Sequence, residues 1–197
     1  MTCLNDIRYA GDEDIKIAPQ DLSKLLRKEN PDADDNIDLY LRQRKLGNTT
    51  RARKLGQEFV GDLQDCVWTV APQGIDPDVF ATQLKILFVY VVHRIIEDYS
   101  DNRIVASTAI GSFYEKLEQA EPELFNALCA GTAFSMYLYS HRTHNESAEN
   151  IGTVFASLCN ASDNEDCAVL GESAYARFVG TCAQRMLSVG YCKDGEK

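Results

Sequence analysis

A chain of 197 residues with 30 acids against 20 Lys and Arg carries a net charge of −10, a field that disfavours nucleic acid and anionic membranes as partners. Its hydrophobic content of 45% and charged content of 25% are ordinary for a globular protein, and the length supplies a sizeable core for one domain. The expected organisation is an irregular lead-in over residues 1–18 followed by a single all-helical domain over 19–192.

Met1 to Ile17 lack the basic start and apolar run of a secretion signal. The longest uninterrupted apolar run, Ile86 to Val92, is too short to span a bilayer. The expectation is a cytoplasmic protein with no membrane insertion. Seven cysteines contain no C-x-x-C pair, so the common zinc and redox signatures are absent. Cys66, Cys129, Cys159, Cys167 and Cys182 fall on apolar helix faces, where a thiol acts as a small buried hydrophobe. Cys3 and Cys192 lie near the termini.

In chain order, a short helix begins at Pro19, with Leu22, Leu25 and Leu26 on one face and Asn30 at its end. Asn30-Pro31-Asp32 is a cap-proline-acid start signal. The helix it opens places Ile37, Tyr40 and Leu41 inward and stops at Gly47. Asn48, Thr49 and Thr50 offer a cap for the next helix. Its stripe is Ala52, Leu55, Phe59, Leu63, Cys66 or Val67, and Val70, ending at Ala71-Pro72.

Residues 76–100 read as a buried central helix. Asp76 stands at the N-cap, Pro77 at the first helical position and Asp78 beside the positive dipole end. No Gly or Pro interrupts Val79 to Tyr99, and apolar residues cover nearly every face, the pattern of a helix buried all round. Beyond a break at Ser100 to Asn102, the next helix carries Val105, Ala109, Phe113 and Leu117. Glu121-Pro122-Glu123 opens one strongly apolar helix running through Leu124, Leu128, Ala133 and Tyr137. A polar loop spans His141 to Glu146. Ser147 caps a short helix with Ile151, Val154, Phe155 and Leu158 inward. Asp163 to Asp166 open the last helix, which buries Cys167, Ala174, Phe178, Cys182 and Met186. Gly111, Gly131, Gly152, Gly171, Ala174 and Gly180 suggest helices crossing at close range, since an interior glycine costs about 1 kcal/mol against alanine. The fold class is all-α, an irregular bundle of about seven or eight helices around the central one.

Three patterns carry candidate chemistry. The hexamer Arg42 to Gly47 is echoed at Arg51 to Gly56 as R-x-R-K-L-G, and six cations with no acid fall between Arg42 and Lys54. Cations at a helix start are unfavourable unless something negative answers them. Asn48, Thr49, Thr50, Arg51, Arg53 and Lys54 therefore form a candidate phosphate or carboxylate site, weighed against a solvated charged surface. His93, Arg94 and Glu97 share one side of the central helix. With His141 or His144 arriving from the loop they would line a small-ligand or metal pocket, weighed against a satisfied polar helix end. No P-loop, dinucleotide fingerprint or nucleophile elbow occurs, so no catalytic residue, resident metal or cofactor is specified. Tyr137, Tyr139, Tyr175 and Tyr191 are aromatics of the core or of a pocket wall. A complete helical core without a recognisable catalytic set points first to a protein-interaction or regulatory module, self-associating or binding a protein partner. A small-ligand, metal or anion-binding protein is the alternative.

Overall fold

The computed structural model describes residues 32–100, 102–144 and 148–191, with the side chains of 32–36, 142–144 and 148–149 excluded. The lead-in over 1–18, the helix expected from Pro19, the Asn30-Pro31 cap, the Ser147 cap, Cys3 and Cys192 lie outside the described residues. Contacts group the chain into two units, Met1–Leu41 and Arg42–Lys197. The described residues form an all-α bundle. Helix α1 is Asp32–Lys45, α2 Asn48–Gln64, α3 Pro77–Tyr99, α4 Arg103–Ala120, α5 Pro122–Cys129, α6 Thr132–His144, α7 Ala148–Leu158 and α8 Glu165–Ser188. No strand occurs among the described residues.

Helix α1 crosses the boundary between the two units. Within the first unit Ile37 and Leu41, expected inward, are exposed. The remaining helices belong to the second unit, and α3 is its axis. The Asp76 carboxylate accepts from the backbone N–H of Asp78 at 2.9 Å and of Val79 at 3.4 Å, which satisfies two of the donors a helix start leaves open. Every residue from Ile86 to Val92 is buried. Helices α2, α4, α5, α6, α7 and α8 all touch α3. Phe80 meets Phe155 of α7 edge to face at 5.4 Å, Phe88 meets Phe178 of α8 at 5.2 Å, and Tyr90 stacks on Tyr137 of α6 at 5.3 Å. Such pairs add about 0.5–1.5 kcal/mol each to their area burial. By length and composition α3 could cross a membrane, with mean hydropathy 1.6 over its most apolar stretch. Of that stretch 61% is covered by the protein itself, as the core helix of a bundle requires.

Several boundaries differ from the sequence pattern. Helix α2 stops at Gln64, where Asp65 N–H donates to Asp62 O and Leu63 O. Ala52, Leu55, Phe59, Leu63 and Cys66 are buried as expected, but Val67 and Val70 lie beyond the helix and are exposed. The expected long helix after Glu121 is two. Gly131 takes φ 81°, a left-handed turn that an L side chain resists, and breaks it into α5 and α6. Glu121 makes no side-chain cap; both its carboxylate oxygens accept from Lys85 Nζ of α3 at 3.0 Å. His141 to His144, expected as loop, continue α6. Cys129 is exposed, while Cys66, Cys159, Cys167 and Cys182 are buried.

Glycine decides two crossings. A Cβ on Gly56 would stand 2.3 Å from Ala109 O of α4, and one on Gly152 would stand 2.5 Å from Ala168 O of α8. Gly171 faces the Phe155 ring at 2.8 Å in the same sense. Ser112 Oγ of α4 donates to Arg53 O of α2 at 3.1 Å beside the first crossing. Gly111 and Gly180, also expected at close crossings, meet nothing within 4 Å. Gly56→Ala should therefore destabilise by about 1–3 kcal/mol or more through overpacking against backbone. Gly111→Ala should stabilise by about 0.5–1 kcal/mol. Urea midpoints of the two variants against wild type test this, and equal shifts would contradict the assigned crossing.

Candidate functional site

A groove of about 770 Å3 opens between α6 and α7, within the range of about 300–1,000 Å3 typical of ligand sites. Thr132, Ser135, Met136, Tyr139 and Ser140 supply the α6 wall, and Asn150, Thr153 and Val154 the α7 wall, with Ala130 and Gly131 at one end. The spacings i, i+3, i+4, i+7 and i+8 put the first five on one helix face. None of these ten residues is charged, in a chain of net charge −10. Ser140 is buried at the floor and Tyr139 stands 68% exposed at the rim. The opposite attachment of α7 explains how its wall is held, since Gly152 and Gly171 bring α7 against α8.

Of the four tyrosines singled out by sequence, Tyr139 lines this groove. Tyr137 is fully buried, and Tyr175 and Tyr191 are partly buried against the core. Thr132, Ser135, Ser140, Asn150 and Thr153 of the groove went unnoticed because small polar side chains at helical spacing resemble an ordinary solvated face.

His93, Arg94 and Glu97 are brought together as helical spacing requires. His93 Nε2 lies 3.5 Å from Glu97 Oε1, and Arg94 reaches Asp98 Oδ2 at 3.0 Å and Glu97 Oε2 at 3.9 Å. Two partners were missed. Tyr114 of α4 places its hydroxyl 3.3 Å from His93 Nδ1, and Phe134 of α6 packs edge-on to the imidazole at 5.6 Å. Burial, aided by the Glu97 charge, pushes the Tyr114 phenol up to about 12, so it is a neutral hydroxyl at physiological pH. His141 sits on α6 two turns after Phe134, about 10 Å along the helix axis. The His144 side chain lies outside the described residues. Among the described residues no group of three or more His, Cys, Asp or Glu is placed to hold a metal ion.

The basic segment is split by the fold. Asn48 and Thr49 are each 2% exposed and lie inside α2, whose N-cap is Gly47 at φ 75° with no side-chain cap. Asn48 Nδ2 donates to Gln43 Oε1 at 2.8 Å. Arg51 Nη1 donates to Leu46 O and to Asn48 Oδ1, both at 3.1 Å, so this cation answers a carbonyl left open at the end of α1. Thr50 and Arg53 are exposed. Lys54 faces Glu58 at 3.5 Å on the surface. Compared with family models, curated proteins and solved structures, the chain matches none; the class the fold defines is an all-α bundle.

Thiol chemistry follows from burial. Burial pushes the thiols of Cys66, Cys159 and Cys182 up to about 12 from 9.0, and the Tyr191 phenol up to about 12 from 10.0. Buried neutral thiols are inert, whereas an exposed one reacts. Iodoacetamide under native conditions should alkylate Cys129 while Cys66, Cys159, Cys167 and Cys182 react only after unfolding, as read by peptide mass spectrometry. The folded chain keeps these protons to about pH 12, while the unfolded chain releases them from about pH 9 upward. Their contribution is thus complete below about pH 9 and lost as pH rises toward 12. The urea midpoint should fall steadily from pH 9 to 11; a flat profile would contradict the burial of these groups.

Proposed function

We propose that this protein is an interaction module whose α6–α7 groove receives an apolar segment of a partner protein, a second copy of the chain included. The observation that carries the reading is the groove itself: about 770 Å3, with no charge among its described lining residues, on a strongly acidic chain. Such a surface favours apolar side chains over ions or polyanions. Tyr139 at the rim offers a large side chain with few torsions to order, the kind of residue that concentrates binding energy at interfaces. Thr132, Ser135, Asn150 and Thr153 supply the few polar groups that fix register.

The test places a photo-crosslinking amino acid at Tyr139, and at Val169 of α8 as a control that is 60% exposed, in the cells that make the protein. A discrete adduct from position 139 only, lost when Ser135→Arg fills the groove, is the expected outcome. Equal adducts at both positions, or an adduct that survives Ser135→Arg, would sink the reading. The same volume suits a small apolar ligand, which is the second reading. Native mass spectrometry separates the two, since a stoichiometric small mass bound to a monomer supports the ligand and a protein complex supports the partner.

A further inference from the structure

A second opening, about 430 Å3, lies between the first half of α2 and the end of α8. It is opposite in character to the groove. Arg51, Lys54 and Glu58 line it from α2, with Arg185 and Ser188 from α8. Arg51 and Lys54 belong to the second copy of the R-x-R-K-L-G echo, and the fold adds to them a third cation from the far end of the chain.

The guanidinium groups are held in place. Arg51 Nη1 is fixed by Leu46 O and Asn48 Oδ1 at 3.1 Å each. Arg185 Nη2 donates to Asp62 Oδ1. Glu58 lies 3.5 Å from Lys54 Nζ and 3.6 Å from Arg185 Nη1. Both separations exceed the roughly 2.7–2.9 Å of a formed charge-assisted hydrogen bond. One carboxylate is thus shared loosely between two cations at the cleft wall.

We propose that this cleft binds a small phosphorylated molecule, whose phosphate sits among Arg51, Lys54 and Arg185 and takes over the cations that Glu58 now shares. Guanidinium forks match phosphate oxygens in pairs, and an ammonium adds a point charge. The volume leaves room for a small organic group against Leu55 and Val189, which also line the cleft. A polyanion is disfavoured by the net charge of −10.

Isothermal titration of the full chain with inorganic phosphate, a hexose monophosphate and the unphosphorylated hexose, in low-salt buffer free of phosphate, tests this. Saturable one-to-one binding of the two phosphates, with no binding of the free sugar, is the expected result. Lys54 is 77% exposed, so Lys54→Gln leaves the fold intact and should weaken binding about tenfold, the worth of one charge-assisted hydrogen bond. Glu58→Gln removes the competing carboxylate and should tighten binding severalfold. The proposal is overturned by no saturable heat up to about 10 mM phosphate, a limit near the weakest binding worth assigning. It is equally overturned if wild type, Lys54→Gln and Glu58→Gln bind alike, or if the free sugar binds as well as its phosphate.

Discussion

Along its middle two turns helix α3 has no face that water can wet. Seven successive residues, Ile86 to Val92, are buried, so their side chains point in every direction around the axis and each direction must be covered. Six helices of the second unit do so. Each fully buried aliphatic or aromatic side chain on α3 contributes about 1.5–3 kcal/mol relative to exposure, so covering this helix is a large part of what holds the unit together. The polar residues of α3 mark where coverage thins. Lys85 is met by Glu121 at the junction of α4 and α5, and His93, Arg94, Glu97 and Asp98 pair among themselves at the C-terminal end.

Around that axis the helices approach one another in two ways. At α2–α4 and α7–α8 a glycine replaces the side chain that would hold two backbones apart. The result is close packing of backbone atoms and side-chain stems, which offsets the entropy a helical glycine forfeits. At α6–α7 the facing residues are small and polar instead, among them Thr132, Ser135 and Thr153, and a groove remains. The tight crossings seat α7 on α8, so under the proposed function one wall of the groove would meet its occupant already formed, and preorganisation of this kind lowers the cost of binding.

The uncharged groove and the cationic cleft stand on different helix pairs, α6–α7 and α2–α8. The occupants proposed for them differ accordingly: apolar side chains for the first, a small phosphorylated molecule for the second. Helix α8 bears on both, through the glycine contacts that seat α7 and through Arg185 in the cleft. If both proposed sites are occupied, their ligands would sense a common element in α8.

How much of this was legible in the sequence depends on whether the signal was local. The cap at Asp76, the stop at Gly47 and the start of the last helix within Asp163 to Asp166, where Asn164 accepts from Cys167 N–H at 3.0 Å, rest on side chains bonding to backbone a few residues away or on the torsions of a single residue. Helical period gave the buried stripe of α2 from Ala52 to Leu63 and the pairing of His93 with Glu97 for the same reason. The break at Gly131 was missed because a glycine reads alike inside a helix and between two, and only the backbone torsion tells them apart. Gly56 was read as part of a charged echo, yet it is the point where α2 touches α4, a fact that depends on a residue 53 positions away, Ala109. The groove and the cleft belong wholly to tertiary structure. Neither Ser135 beside Thr153 nor Lys54 beside Arg185 leaves a periodic or compositional trace, because spacing along the chain determines which face a side chain occupies and only packing decides what that face meets.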